Sequence, residues 1–251
     1  MINVLVIGSL CLIGILYFAA HYNFWRPARP ISMPRILMYH SISEESGCSH
    51  SELVVTPDAF EKQLKLLHGK GYTFLTISEL LNSQNNQLSK VAITFDDGFR
   101  DNYEIAFPLL KKYGAKATVY LATEIDGIDK LSKEMIADMV NSGLIEFGAH
   151  TLSHCNLEKC DASSAEAEIK GSKERVEVLT GRKCEAFAYP FGRFNDDVVD
   201  IVKSSGFSSA VTVKKGISNI VDPYRIKRIS VLRSTNILQF RIALSRGRYR
   251  V

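Results

Sequence analysis

Short apolar runs alternate with amphipathic segments through most of the chain after residue 34. Seven runs predict β-strands, at residues 36–39, 72–75, 91–95, 117–121, 144–148, 186–189 and 209–213. Between them apolar residues recur at helical spacing, as in Phe60, Leu64 and Leu67 behind a Thr56–Pro57 helix start. Further helices are predicted around 105–113, with a bend at Pro108, and over 132–140, 163–180 and 196–204. Strands that alternate with helices form a parallel sheet, either open or closed into a barrel.

The first 25 residues have a different pattern. They contain no Asp, Glu, Lys or Arg, and residues 4–20 are almost wholly apolar. About 20 helical residues span roughly 30 Å, the thickness of a bilayer core, so the pattern predicts a transmembrane helix over 1–25. The segment has neither a basic start nor small residues at a cleavage site, which favours an uncleaved anchor. The proline-rich stretch 26–34 is then a linker.

After the uncharged first 25 residues, the distribution of charged residues is uneven only near the carboxyl terminus. The 251 residues include 31 basic and 27 acidic side chains and are 46% hydrophobic, which excludes disordered, collagen-like and small disulfide-rich proteins. Residues 214–251 carry ten Lys or Arg against the single acid Asp222. Segment 235–251 is predicted to be a basic tail that either meets an anionic membrane surface or is a solvated surface. No nucleic-acid-binding motif accompanies it.

Polar residues with catalytic chemistry follow several of the predicted strands. They are His40, the Asp96–Asp97 pair, His150 and the turn at residues 190–192. In parallel α/β folds the active site lies at the carboxyl ends of the strands. We therefore expect these residues to meet at one end of the sheet.

Two histidines four residues apart, His150 and His154, can bind one metal ion together with a carboxylate. The second carboxylate of the Asp96–Asp97 pair is then left as a base for a water molecule. Zinc is the first expectation for the ion, and nickel, cobalt and iron also suit imidazole ligands. Taken singly, an Asp-Asp-Gly sequence is more often a turn, and a histidine pair at this spacing is more often structural.

Three motifs resemble those of the polysaccharide deacetylase family (the NodB-homology domain, carbohydrate esterase family 4), over residues 35–234. They are Thr-Phe-Asp-Asp-Gly at 94–98, His-Thr-Leu-Ser-His at 150–154 and Tyr-Pro-Phe-Gly at 189–192. The resemblance implies an α/β fold, a deformed (β/α) barrel of about seven strands, here preceded by one transmembrane helix. It also implies a divalent metal ion and hydrolysis of N-acetyl groups from amino sugars.

The resemblance also implies roles for individual residues. Asp97, His150 and His154 would hold the metal ion, and Asp96 would be the general base. The remaining implied residues belong to the third motif: the backbone N–H of Phe191 would bind the oxyanion, with Tyr189 and Pro190 beside the substrate.

The chain departs from the family pattern at three places. Ala188 stands where the third motif has an Arg that pairs with the base, and either Arg193 or Arg228 could replace that charge. The only Trp is Trp25, so the usual Trp motif is absent, and no His follows His154.

One branch of the family accounts for the missing late histidine. Residues 38–42 and 223–229 are similar to segments of the poly-N-acetylglucosamine deacetylases of biofilm synthesis, whose barrel is circularly permuted. In that branch an early His takes the place of the late one, which makes His40 the candidate general acid.

The leading hypothesis is a membrane-anchored, metal-dependent deacetylase acting on a polysaccharide or on a lipid-linked saccharide. An N-deformylase is a close variant, and a non-catalytic glycan-binding or scaffold protein is the alternative. A glycosidase is disfavoured because its carboxylates must lie about 5–9.5 Å apart across the sugar. This function favours a domain on the outer face of the membrane, whereas Arg26, Arg29 and Arg35 favour the cytoplasm.

The five cysteines do not settle the compartment. Cys155 and Cys160 could close a small loop under oxidising conditions, or remain free thiols.

Overall fold

A computed structural model describes residues 2–21, 26–44, 51–83 and 89–249. The strands are β1 (Arg35–Tyr39), β2 (Ser41–Ile42), β3 (Val54–Val55), β4 (Thr73–Phe74), β5 (Lys90–Phe95), β6 (Ala117–Leu121), β7 (Ile145–Ala149), β8 (Ala186–Ala188), β9 (Ser209–Lys215) and β10 (Ile226–Ser230). The helices are α1 (Ile2–His21), α2 (Pro57–Gly69), α3 (Ile77–Asn82), α4 (Phe107–Lys112), α5 (Lys133–Asn141), α6 (Ala162–Thr180), α7 (Asp196–Ser204) and α8 (Ile237–Arg246).

Seven parallel strands close into a barrel, which confirms the predicted fold. Their order is β1-β10-β9-β8-β7-β6-β5, and β5 pairs again with β1 through every residue from Arg35↔Val91 to Tyr39↔Phe95. Strand β4 extends the sheet beside the first residues of β5. Because all seven strands run in the same direction, their carboxyl ends meet at one end of the barrel.

Side chains of the strands alternate between two apolar layers, as the period-two geometry of a strand requires. Leu37 and Phe95 belong to the larger core cluster, which also contains the buried residues of the surrounding helices. The neighbouring Ala92, Tyr120 and Ala188 belong to a smaller cluster on the other face of the strands. A side chain at Gly148 would come within 2.6 Å of the Tyr120 ring, so a glycine is required at this close approach.

Helix starts follow the expected capping chemistry. The Thr56 hydroxyl accepts a hydrogen bond from Ala59 N, and Ser132 caps α5 in the same way. Helix α6 ends at Thr180 and is capped by Gly181, whose φ of 62° is left-handed. Ahead of Pro108, residues Asn102–Ala106 form a π-helical turn in place of the predicted simple bend.

The segments predicted as linker and basic tail pack on the barrel. The Arg35 guanidinium donates hydrogen bonds to the backbone carbonyls of Arg29, at 3.0 Å, and Pro30, at 2.7 Å, and to that of Leu244 at 2.9 Å. Helix α8 packs against α2 and buries Phe240 completely. Residues 26–34 and 237–246 are therefore part of the folded domain.

The predicted amino-terminal helix forms as α1, and its large apolar side chains between Ile7 and Tyr17 are exposed. Across the ranges that the structure describes, no helix combines the length and the hydropathy needed to cross a membrane. This finding does not support the transmembrane assignment of residues 1–25, of which residue 1 and residues 22–25 lie outside the described part of the chain.

Candidate active site

The candidate catalytic residues follow strands β1, β5, β7 and β8 at one end of the barrel. Tyr39 and Phe95 are register partners, so the residues after them, His40 and Asp96, lie side by side. His150 follows β7, the strand paired with β8 at Ala149↔Phe187. The expectation that strand ends bring these residues together therefore agrees with the geometry.

Asp97, His150 and His154 form a compact set of metal-binding side chains. One ligand atom from each lies within 4.8 Å of the others. The Nε2 atoms of His150 and His154 are 3.5 Å and 3.4 Å from the same atom, Asp97 Oδ1. Two imidazoles and one carboxylate at these separations match the donor set of a catalytic transition-metal site.

Hydrogen bonding of His150 and Asp97 also fits a metal ion. His150 Nδ1 lies 2.8 Å from the Ala188 carbonyl, which can only accept, so Nδ1 carries the proton and Nε2 keeps its lone pair. Asp97 Oδ1 is buried and has no hydrogen-bond partner among the described residues. A buried carboxylate oxygen without a donor is costly, and a bound cation removes that cost.

The backbone is left-handed at four non-glycine residues of the described chain, and all four belong to the site motifs. They are Asp97 (φ 72°), Thr151 (φ 62°), His154 (φ 59°) and Phe191 (φ 57°). Such a conformation costs on the order of 1–3 kcal/mol per residue and persists where the surrounding structure imposes it. Because the left-handed conformation is confined to these turns, we infer that the fold places the site side chains at a cost in local stability.

Asp96 is held by Arg228, which is fully buried on β10. The two terminal guanidinium nitrogens donate to the two carboxylate oxygens, at 2.6 Å and 2.7 Å. The same guanidinium donates to Thr94 Oγ1 and to the Thr212 carbonyl, each at 3.0 Å. This bidentate pair fixes the orientation of the carboxylate.

The choice between Arg193 and Arg228 is therefore settled by position. Arg193 has a side chain that is 64% exposed and lies 4.0 Å from Glu158. Arg228 supplies the positive charge that Ala188 lacks. It lies on β10, which β9 separates from β8, the strand that carries Ala188.

The surroundings separate the pKa values of the two adjacent carboxyls. Burial acts to raise the pKa of Asp96, but the charge and hydrogen bonds of Arg228 outweigh burial and hold that pKa well below its usual range. Burial, with the nearby charge of Asp96, raises the pKa of Asp97 to about 7. Burial lowers the pKa of His150 to about 4, so the ring is neutral at physiological pH. A neutral imidazole is the form that binds a metal ion.

His40 lies at the edge of this set, with a side chain that is 14% exposed and Nε2 3.9 Å from Asp96 Oδ2. Two residues that the sequence patterns did not single out hold its loop. Asn102 donates from its side-chain amide to the His40 carbonyl at 2.8 Å, and Asp101 accepts from Ile42 N at 3.1 Å. The only feature of the sequence that could have identified Asp101 and Asn102 is that they follow Asp97 closely in the chain.

The third motif divides into an exposed and a buried part. The side chain of Phe191 is 56% exposed, and its ring centroid is 4.5 Å from that of His154. The Tyr189 hydroxyl donates to the Tyr224 carbonyl at 3.1 Å, and its ring stacks on Phe194. Tyr189 and Pro190 are buried and support the turn, and their place beside the substrate stays a prediction.

Comparison with known proteins agrees with this geometry. Residues 83–210 match the family model described as polysaccharide deacetylase. The chain belongs to the polysaccharide deacetylase family. The resemblance inferred from the three motifs is thereby confirmed.

Two curated relatives in this family are poly-β-1,6-N-acetyl-D-glucosamine N-deacetylases. The chain is 32% identical over 195 residues to that of Staphylococcus epidermidis, which covers 70% of this chain and 68% of the relative. It is 31% identical over 227 residues to that of Staphylococcus aureus strain MSSA476, which covers 83% of this chain and 77% of the relative.

The fold is also similar to that of solved deacetylases. The Streptococcus pyogenes deacetylase PplD, in complex with acetate, superposes with a TM-score of 0.75 at 32% identity. The match covers 81% of this chain and 94% of that protein.

Proposed function

We propose that this protein is a metal-dependent hydrolase that removes N-acetyl groups from amino sugars of a glycan. The observation that carries the proposal is a His-His-Asp set next to a second carboxylate that Arg228 keeps ionised. A glycan-binding protein has no need for such a carboxylate. Family membership and the N-acetylglucosamine polymer named for the staphylococcal relatives support this class of substrate.

Asp97, His150 and His154 would hold the ion, for which zinc is the first choice and nickel, cobalt or iron are compatible. A divalent ion at such a site supplies a water nucleophile near neutral pH and polarises the acetyl carbonyl. In the resting protein His150 already presents a neutral ring with its tautomer fixed by Ala188.

Asp96 acts as the general base in this proposal. Each of its oxygens accepts one hydrogen bond from Arg228, which leaves further lone pairs for the proton of the attacking water. The water oxygen bonds to the acetyl carbon, the C–N bond breaks, and acetate and a free amine are formed. His40 donates the proton to the leaving amine, and the Phe191 N–H donates to the developing oxyanion.

Acetate release from N-acetylglucosamine oligomers by the metal-loaded protein tests the proposal. Asp96→Asn keeps the size of the side chain and removes the base, so we expect a loss of about 100-fold or more while metal remains bound. Asp200→Asn, on an exposed face of α7, is the matched control and should retain full activity. Equal turnover by Asp96→Asn would overturn the assignment of the base.

His40→Asn separates the acid from the base. Loss of a general acid slows hydrolysis of the amide but spares an aryl acetate, whose leaving group departs without a proton. We expect Asp96→Asn to lose both activities and His40→Asn to lose only the first. Metal binding without acetate release by the unaltered protein would favour the alternative function, a glycan-binding role.

Location at the outer face of the cell membrane, and a choice between polysaccharide and lipid-linked saccharide, remain predictions from the sequence. Fractionation of cells with an antibody to this chain tests the first.

A further inference from the structure

Two cysteines lie directly beside the candidate metal ligand His154. Cys155 follows it in the chain, and the Sγ atoms of Cys155 and Cys160 are 3.7 Å apart, both as free thiols. Both side chains are half-buried, whereas Cys184 is buried. A soluble oxidant can therefore reach this pair and has no such access to Cys184.

The turn between the two cysteines holds them together. The Asn156 side chain accepts from Glu158 N at 3.2 Å, and residues Leu157–Lys159 form one 3₁₀ turn. Leu157 is buried and anchors the turn in the core. Thiols held at this separation by a compact turn can be bridged with a small side-chain movement.

The loop before His154 is already fixed to α6. Glu168, on the second turn of that helix, accepts from Leu152 N at 2.9 Å and from Ser153 N at 3.0 Å. The left-handed backbone of Thr151 and His154 makes such support necessary. On the carboxyl side of His154, the hydrogen bonds of residues 155–159 in the described structure stay within the turn and none reaches α6.

Cys160 lies where such a connection would be made. It immediately precedes Asp161, the residue that caps α6 by accepting from Ser164 N at 2.9 Å. A covalent bond from Cys155 to Cys160 would therefore tie the carboxyl side of His154 to the start of the helix whose Glu168 holds the other side.

We propose that Cys155 and Cys160 form a disulfide that ties the His154 loop to the start of α6. The oxidant is a disulfide of the thiol-oxidoreductase class, or oxidised glutathione. One cysteine attacks that disulfide and releases a thiol, and the second attacks the mixed disulfide and releases the other. The pair loses two electrons and two protons, and the donor disulfide becomes two thiols. The cross-link is independent of the proposed function, whereas its effect on metal binding rests on that function.

The first test maps the thiols of the full chain after equilibration with oxidised glutathione or with dithiothreitol. The protein is denatured, alkylated and digested without reductant. After oxidation we expect one peptide pair joined through Cys155 and Cys160, with the other three of the five cysteines alkylated. Alkylation of both residues in the oxidised sample, or a bond from either to another cysteine, would overturn the proposal.

The second test measures the position of His154 without relying on activity. We expect the amides of residues 153–155 to exchange with deuterium about tenfold more slowly in the oxidised protein. Zinc should bind the oxidised protein about tenfold more tightly, an effect of the size seen for groups that orient metal ligands. The double variant Cys155→Ser/Cys160→Ser should match the reduced protein under both conditions. Cys11→Ser, an exposed site on α1, should respond to oxidation as the unaltered chain does.

The outcomes distinguish the positioning role of the disulfide from the proposed metal centre. A cross-link with unchanged exchange at residues 153–155 would contradict the positioning role. Slower exchange without zinc binding in either redox state would support the cross-link and contradict the proposed metal centre.

Discussion

At the residue scale, the site depends on two adjacent carboxyl groups in different surroundings. Both are buried, but only Asp96 is paired with a cation, Arg228. One group therefore stays ionised, whereas the pKa of Asp97 is raised to about 7 until a cation replaces the proton. Opposed pKa values in neighbouring groups assign separate tasks to them.

Arg228→Met tests the first half of this arrangement. In the wild type the lowered pKa of Asp96 contributes stability above the unfolded value of about 4. In the variant burial raises that pKa, so stability is lost as pH rises. Urea unfolding of metal-free protein should therefore show a deficit that grows from pH 5 to pH 7, towards about 3–5 kcal/mol.

Arg193→Met, at an exposed arginine, is the matched control and should change the free energy of unfolding by less than about 0.5 kcal/mol. A deficit for Arg228→Met that does not vary with pH would contradict the pairing with an ionised Asp96.

Asp97→Asn tests the second half. Because the folded pKa of Asp97 is raised to about 7, the metal-free wild type loses stability as pH rises from about 4 through 7. The variant does not, so at pH 8 it should be more stable than metal-free wild type, by roughly 1–4 kcal/mol. Calorimetry should show zinc affinity lower by more than about 100-fold, because losing a ligand exceeds the cost of losing an outer partner. Equal stability at pH 8 would contradict the raised pKa.

At the element scale, the turns that end the strands hold the site residues in unfavourable backbone conformations. The turn Pro190–Gly192 illustrates this, because Phe191 and Gly192 are both left-handed. A Cβ at Gly192 would lie 2.2 Å from Val213 Cγ2, so the turn packs directly on β9. Gly181 has nearly the same φ, but a Cβ there meets nothing within 4 Å.

Gly192→Ala and Gly181→Ala therefore form a matched pair. Each should lose about 1–2 kcal/mol from the left-handed conformation. Gly192→Ala should lose a further 1–3 kcal/mol or so through overpacking, and activity should fall as the turn carrying Phe191 shifts. Thermal unfolding and acetate release measure both effects. Equal behaviour of the two variants would show that contact with Val213 does not position the turn.

Elements whose apolar residues follow one clear periodicity were predictable from the sequence. Elements whose apolar pattern is interrupted by charged residues were not. Residues 117–121 and 196–204 were predicted with their observed bounds. Strand β10 was missed because Lys227 and Arg228 interrupt its apolar pattern, and Arg228 points to a buried partner that the sequence does not reveal. Helix α8 was missed because its basic residues obscure the apolar spacing around Phe240.

At the scale of the whole molecule, closure of the barrel determines which residues meet. The histidine pair and a neighbouring carboxylate could be proposed from their positions after strands that are regular in sequence, whereas the choice of Asp97 as the ligand came from the family resemblance. The pairing of Arg228 with Asp96 spans 132 positions and depends on β1 lying between β5 and β10. Such a contact follows from topology alone, which is why Arg193 and Arg228 were equivalent candidates in the sequence.

The carboxyl-terminal helix completes the domain, and Phe240→Ala tests this. Phe240 is fully buried, so we expect a loss of about 3–5 kcal/mol in urea unfolding. Leu238→Ala, on the same helix and 47% exposed, should lose about 1 kcal/mol or less. Similar small losses for both would mean that residues 237–246 form a tail rather than part of the core.

The most direct test of the central claim is a titration of metal-free protein with zinc while acetate release from N-acetylglucosamine oligomers is followed. Activity should be absent at the start and should rise to a plateau at one zinc ion per chain. The Asp97→Asn variant should remain inactive across the same range. Full acetate release by the metal-free protein, or by Asp97→Asn, would contradict a catalytic metal centre formed by Asp97, His150 and His154.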